Sequence, residues 1–434
     1  MKFLLMSMLV LTMTSAHAAI TPTELVVKVK AGKAVPNFGA DSKVQNLFGN
    51  IYIVRNNDVS VLEKQLKNNP NIEYTERNSR AEKSPLPMPV ASPLDVEKSF
   101  KAVNLFNDPK VDKIWSFNDA DKNGVSVNAA YQLHGTSATS TVIVAVVDTG
   151  IDYTHEDLKD VVWVNEGEIP GNGIDDDGNG YVDDVNGINT LVRDSQGRAT
   201  GNNKDTHSHG THVSGTIGAK QNNGIGIAGI ASNVKIIGIK TVPNSSDETD
   251  IDVAESFIYA AKNGAKIINC SFGKGQNEGK NLIPDTLKYI QDKYGVLVIA
   301  AAGNDTSDID KYPTYPASHK SDNLLIIAST TKTGALSSFS NYGKVNVDVA
   351  APGSDVFSTT PGNRYASMSG TSMASPTTTG VAAEILSHYP NLSPLQLKQV
   401  IMDSVNTDYR YKDKMITGGR IDLLKGLELA RSIK

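Results

Sequence analysis

Residues 141–148 read TVIVAVVD. Six consecutive apolar residues precede Asp148, with no polar residue on either side of a pleat, so the run reads as a strand buried on both faces. Four more runs repeat the texture: VKIIGIKTV (234–242), AKIINCSF (265–272), GVLVIAAAG (295–303) and LLIIAST (324–330). Helical patterns over 250–263 and 282–293 fall between them. Apolar strands alternating with helices predict an α/β fold, a largely parallel sheet covered by helices on both faces. Such sheets gather functional groups at the carboxyl ends of their strands. The loops after Asp148, Cys270 and Gly303 are therefore where chemistry is expected.

Toward the N-terminus the texture changes. MKFLLMSMLVLTMTSAHA (1–18) carries one lysine, an apolar run and the small-x-small end Ala16-His17-Ala18. That pattern predicts a signal peptide cut after Ala18, the competing reading being a buried core helix. No later run is long and apolar enough to cross a membrane, so an exported protein, secreted or periplasmic, is expected. ELVVKVK (24–30), NIYIVR (50–55) and NIEYTERN (71–78) read as half-buried strands. Ser60-x-x-Glu63 reads as a capping box opening a helix over LEKQLKNN. Residues 19–78 thus form a small α+β unit. A proline-rich linker, 79–104, joins it to the large unit, 105–434, and is the expected site of proteolytic cutting.

The net charge of -5 over 434 residues leaves no basic stripe for nucleic acid. The single cysteine, Cys270, excludes an intramolecular disulfide, and its place at the end of AKIINC reads as a small buried hydrophobe.

Three short segments carry candidate chemistry. Asp148 ends the first strand in VVDTG. His209 opens HGTH at 209–212, on a helix packed through Gly210, Ser214, Gly215 and Gly218. Ser372 lies in SGTSMASP (369–376), between a glycine turn and a helix start. Each alone is a common turn or cap. Together they supply an acid, a base and a nucleophile. A serine hydroxyl attacks only when an imidazole takes its proton, and the imidazole needs an anion behind it to hold its tautomer. A developing oxyanion also needs donors, and Asn304 in AAAGN can offer its side-chain N–H. His207, His209 and His212 allow a competing reading as a zinc site, although their spacing of two and three departs from the i, i+4 pair with glutamate of metalloprotease helices.

VVDTGID with HEDL, SHGTHVSGTIGA, NCSFG, AAAGN and SGTSMASP resemble the signature segments of the subtilisin-like serine proteases, the subtilases, in the family's order across roughly 105–430. The resemblance implies that Asp148 orients, His209 is the general base, Ser372 is the nucleophile, and Asn304 with the Ser372 N–H holds the oxyanion. It implies that Ser271, Phe272 and Gly273 pair with extended peptide substrate, that Ala301, Ala302 and Gly303 line the pocket before the cut, and that a second edge falls near Asn244–Asp247. Asp247, Glu248, Asp250 and Asp305 would then favour some tolerance for basic substrate residues, the alternative being a solvated acidic loop. Ser369 stands where the family often has asparagine. The unit at 19–78 resembles the family's propeptides, implying an intramolecular inhibitor and chaperone removed by self-cleavage. A monomeric endopeptidase acting on proteins or peptides is expected. A catalytically dead binding module of the same fold is the rival.

Two oxygen-rich segments point to calcium. In GNGIDDDGNGYVDD (171–184), Asp175, Asp177, Asn179 and the Tyr181 carbonyl follow the start of an EF-hand spacing, but position twelve is Asn186, so closure by Asp183 or Asp184 is expected. The family resemblance implies a second site built from Asp108, Asp157 and Asn223 side chains with the carbonyls of Gln221, Ile225 and Ile227. Oxygen-only ligands suit calcium and not zinc.

Overall fold

The computed structural model describes residues 23–78, 105–135, 138, 140–275 and 279–433. The signal-peptide segment 1–18 and the linker 79–104 lie outside the described residues.

Ten strands form the main sheet. Across it the order is Asn406–Thr407, Gly419–Arg420, Val349–Pro352, Leu324–Thr330, Leu297–Ala301, Ile267–Cys270, Val142–Asp148, Val234–Lys240, Asn189–Arg193 and Ala199–Thr200. The inner pairings are parallel, and the two outermost are antiparallel. Val142–Asp148 is central because the chain goes first to one side of it, Val234–Lys240, then crosses to the other, Ile267–Cys270. That reversal opens a crevice at the carboxyl ends, the place such sheets use for ligands.

Both faces are buried, as the apolar runs require. One face packs Val144, Val146, Ile299 and Leu325 against Met373, Val381 and Ile385 of the helix Thr371–His388. The other packs Ala145, Val147, Ile268 and Val298 against Phe257 and Leu287 of the helices Asp250–Lys262 and Leu282–Tyr294.

Residues 23–78 form a separate antiparallel sheet, ordered Lys43–Phe48, Ile51–Arg55, Glu24–Val29, Ile72–Arg77. The first of these, KVQNLF, escapes the sequence reading because its first four residues are polar or exposed. Alternation along Glu24–Val29 sends Leu25, Val27 and Val29 into the unit's own core, while Val26 joins the core beneath the main sheet's helices. The expected capping box does not form. Val59 is the N-cap residue of Ser60–Lys67, without a side-chain cap bond. Asp58 Oδ1 accepts from the Ser60 N–H at 2.7 Å instead. Glu63 leaves the helix end to pair with Lys67 and Arg77.

Candidate active site

Asp148 ends its strand fully buried, and His209 is the first residue of the helix His209–Gly218. His209 Nδ1 lies 2.8 Å from Asp148 Oδ1 and 3.0 Å from Oδ2. A carboxylate there holds the proton on Nδ1 and leaves Nε2 as the acceptor. Gly210 permits this approach: a Cβ on it would sit 2.1 Å from the Gly150 carbonyl oxygen and 3.2 Å from Asp148. Asp205, which the sequence reading missed, organises the turn into the helix. Its Oδ1 accepts from the backbone N–H of His207 at 2.8 Å and of Ser208 at 3.0 Å. Its Oδ2 accepts from Thr211 N–H at 3.0 Å and its hydroxyl at 2.6 Å. Thr149 donates to Asp205 at 3.0 Å and accepts from the Gly210 N–H at 2.9 Å, tying acid and base segments together. An aspartate four residues before His209 was the available signal.

Ser372 is the second residue of the helix Thr371–His388, where backbone N–H groups lack partners within the helix. Its hydroxyl donates to the Ser271 carbonyl at 2.9 Å, and His209 Nε2, buried, makes no hydrogen bond. Serine and imidazole are thus not bonded to each other in this state. Such bonds tighten when substrate is present. Ser271 donates from its hydroxyl to the Ser372 carbonyl at 2.8 Å. Behind it, Asn269 donates to Ser271 Oγ at 2.9 Å and accepts from Ser375 and Thr379, each at 2.9 Å. This buried amide fastens the nucleophile's helix to the strand Ile267–Cys270. It was invisible beforehand because Asn269 reads as one polar residue in an apolar run.

Asn304 is exposed after the strand Leu297–Ala301. Its Oδ1 accepts from Thr371 N–H at 2.8 Å and Thr371 Oγ1 at 2.9 Å. Two donors on one atom fix which end of the amide is oxygen. Nδ2 keeps its hydrogens for another acceptor. Gly303 N–H donates to Thr371 Oγ1 at 3.1 Å, so Thr371 joins the nucleophile's helix to the asparagine loop.

The other histidines do not assemble with His209 around a metal. His212 Nε2 donates to the carbonyls of Val356 at 2.9 Å and Ala366 at 3.1 Å, fastening its helix to the hairpin Val356–Thr360/Arg364–Met368. Burial drives its pKa down to about 3, so it stays neutral. The His207 ring meets that of His209 edge-on, with centroids 6.4 Å apart. With His209 Nδ1 on Asp148 and His212 Nε2 on two carbonyls, the zinc reading has no geometry. Cys270 is buried and burial pushes its thiol well above its ordinary pKa, away from thiolate chemistry.

Beyond Ser271, Phe272 is buried and Gly273 lies against Thr314 and Tyr315. Ala301 and Ala302 are buried and Gly303 half-buried with φ 104°. Of the acidic group expected beside the cleft, Asp247, Glu248 and Asp250 are buried, whereas Asp305 is exposed. Lys274 sits among the first three, its ammonium 2.9 Å from Asp250 Oδ1. They are therefore not a solvated acidic loop.

The family model described as Subtilase family, a peptidase class, matches residues 139–419. The chain is a subtilase. It is 32% identical over 386 residues to a Thermophilic serine proteinase from Bacillus sp. (strain AK1), covering 87% of this chain and 79% of that one. It is 30% identical over 419 residues to Subtilisin-like protease 1 of Plasmodium berghei (strain Anka), covering 91% of this chain and 65% of that one. The chain spans between about half and two-thirds of the length of the curated relatives it matches first. Among solved structures, a protease from Pseudoalteromonas arctica superposes with a TM-score of 0.60 at 25% identity, over 75% of this chain and 99% of that one.

In this subtilase the N-terminal unit docks on the two helices of the main sheet. Glu76 reaches the start of Leu282–Tyr294, whose own N-cap residue Asn281 makes no side-chain cap bond. Glu76 Oε1 accepts from the N–H of Lys280 at 2.9 Å and of Asn281 at 3.0 Å, and Oε2 from that of Leu282 at 3.2 Å. A carboxylate there answers both the unpaired donors and the helix dipole. Phe48 stacks on Tyr289 at 4.6 Å, and Asp285 receives Lys28 Nζ at 3.0 Å and Tyr74 OH at 2.8 Å.

The first of the subtilase's two oxygen-rich regions departs from its sequence reading: Glu168 joins it, and Asp175 and Asp183 are engaged elsewhere. Glu168, Asp177 and Asp184 bring carboxylate oxygens within 4.8 Å of one another. Asn165 bridges Asp177 at 2.9 Å and Asp184 at 3.1 Å, and Asn179 bridges the same pair, each at 3.0 Å. Asp175 stands apart, accepting from the Gly180 N–H at 3.0 Å and lying 3.7 Å from Arg198. Asp183 accepts the N–H groups of Gly171, Asn172 and Gly173, so closure falls to Asp184. Tyr181 packs its ring edge-on against Tyr259. Glu168 was missed because it precedes the spacing pattern. In the second region, Asp108 and Asp157 are buried and burial raises both their pKa values. Asp108 accepts from the N–H of Asn222 and Asn223. Asp157 accepts from Asn223 Nδ2 at 2.8 Å and Ile227 N–H at 2.8 Å. Asn223 Oδ1 accepts from the Ile225 N–H. Gln221 Oε1 is buried without a donor. Buried carboxylates, with the orphaned Gln221 side-chain oxygen in the same loop as Asn223, offer the oxygen-only donors that suit a hard cation.

Proposed function

We propose that the protein is an exported serine endopeptidase that cuts peptide bonds through an acyl-enzyme and is released from its own propeptide by self-cleavage. The observation that carries the reading is the Asp148–His209 pair, with His209 Nε2 left as acceptor; Ser372 at a helix start and Asn304 held by Thr371 support it. The Ser372 hydroxyl turns from the Ser271 carbonyl to His209 Nε2 and gives up its proton as Oγ attacks the substrate carbonyl. Asp148 steadies the imidazolium that results. The oxyanion receives Asn304 Nδ2–H and the Ser372 N–H, a role supported by the hold of Thr371 on the other end of the amide. His209 then protonates the leaving amine, and a water activated by the same imidazole hydrolyses the acyl group. Ser271, Phe272 and Gly273 pair with extended substrate by adding a strand, with Ala301, Ala302 and Gly303 at the pocket.

Residues 19–78 act as the inhibitory propeptide, a reading supported by the Glu76 cap. The expected result with Ser372→Ala is no cleavage of casein and a chain that keeps residues 19 to about 100, read by intact mass and N-terminal sequencing. A mutant that still cleaves casein sinks the proposal. Calcium is proposed at both regions: at one, Glu168, Asp177 and Asp184 with Asn165 and Asn179; at the other, Asp108, Asp157 and Asn223 with the carbonyl oxygens of Gln221, Ile225 and Ile227. When bound, the ion supplies structural cross-linking and no step of the reaction. Removing it should lower Tm by roughly 5–10 °C, restored by calcium and not by magnesium; an unchanged Tm refutes this part.

A further inference from the structure

We propose that Lys274 is a specificity-determining residue, a built-in counter-charge that limits how strongly the cleft selects basic substrate side chains. The inference rests on the endopeptidase reading and on Ser271–Gly273 as the substrate edge.

Lys274 directly follows that edge. Its backbone is taken up by Tyr315, through N–H···O bonds of 2.9 and 2.8 Å in the two directions. The side chain does not lie in solvent, as lysines beside loops usually do. It runs inward, 3% exposed, to an ion pair of 2.9 Å with Asp250, whose own side chain is 9% exposed. The ammonium also donates to the Glu248 carbonyl at 3.0 Å. One ammonium therefore spans from the 271–274 edge to the 247–250 segment, where the opposite edge of the cleft is expected. Asp247, Glu248 and Asp250 bring three carboxylates to this wall. His319 faces both Asp250 and Lys274, and burial pushes its pKa down to about 4, so it adds no charge near neutral pH. Arg193 is engaged elsewhere, on Asp252 and Glu255. Among the described residues, Lys274 is the cation paired with Asp250 in this group. Phe272 and Lys274, alternate residues of one extended segment, share a face. That face is turned inward, both side chains being 3% exposed, so the ammonium acts on a substrate paired to this edge through its field and not by contact.

A charge in a covered site acts more strongly than one in water. Removing the ammonium should leave the wall more negative and turn it toward Lys and Arg. The test uses the full-length chain after maturation, with Lys274→Met, Lys274→Arg, Asp250→Asn and the double variant Asp250→Asn/Lys274→Met. Peptides carry Lys, Leu or Glu at each of the three positions upstream of the residue before the cut. The readout is the ratio of kcat/KM for Lys over Leu. Lys274→Met should raise it about tenfold at one position, while Lys274→Arg keeps it. Asp250→Asn should lower it, and the double variant should return it toward wild type. Asp250→Asn and the double variant decide the matter should Lys274→Met not fold. An unchanged ratio in folded variants whose Ser372 still takes up a fluorophosphonate overturns the role of Lys274 and leaves the protease reading intact. A wild-type chain that takes up no fluorophosphonate and cuts none of the peptides overturns the protease reading itself.

Discussion

The two sheets of this protein bury their strands by different means. In the large sheet, Val142–Asp148 is covered by helices of its own unit on both faces, so its sequence is apolar up to Asp148. In the small sheet, Glu24–Val29 covers one face with its own helix and lends the other to the neighbouring unit. Its second face is mixed: Val26 is buried, while Glu24 and Lys28 are half-buried. The difference separates two kinds of dependence. The large sheet carries its core and its reactive groups within one unit. Among the described residues, the small one gathers eight buried apolar residues in its private core and completes itself by docking.

That contrast can be broken at either end. The largest effect should come from the large sheet's reactive end. Asn304→Ala removes the side-chain donor proposed for the oxyanion, together with the oxygen that accepts from Thr371. A fall in kcat of about a hundredfold or more is expected, the loss known for one such donor, with KM little changed, measured on a peptide anilide. A matching rise in KM would mean that Asn304 serves ground-state binding instead. A smaller effect should come from the seam. Glu76→Ala removes the carboxylate that caps Leu282–Tyr294 from outside its own unit. The separate 19–78 unit, added to the mature enzyme, should inhibit about tenfold less well, as expected for loss of one charged cap. Inhibition equal to wild type would place the docking energy in Phe48–Tyr289 and the buried valines. The change in charge selection proposed for Lys274 is of the same tenfold order as the seam effect, and it tests the proposed substrate edge of the large unit.

Local rules made much of this legible. Apolar runs such as GVLVIAAAG declare parallel strands because nothing along them could face water. HGTH and SGTSMASP could be matched because a base at a helix start and a serine after a glycine turn are local features. Other features failed the same test. The capping box at Ser60 yielded to Asp58, which reached the N–H first, and KVQNLF lacks the alternation that marks a strand. Asp205, Asn269 and Thr371 were not singled out because a buried polar residue announces itself only through partners distant in the chain. Asn269, for instance, meets Ser375 across 106 positions.

By itself, then, the sequence determined the strand and helix alternation, the order Asp, His, Ser, and the division into a small and a large unit. Each follows from periodicity or from residue type at a turn, both properties of neighbours in the chain. Only the tertiary structure decided that His212 turns instead to the carbonyls of Val356 and Ala366, that the Asn304 oxygen faces Thr371, that Glu168 joins Asp177 and Asp184, and that Lys274 answers Asp250. These are pairings of charge and hydrogen bond across long loops. A buried polar group must find a partner wherever folding brings one within reach.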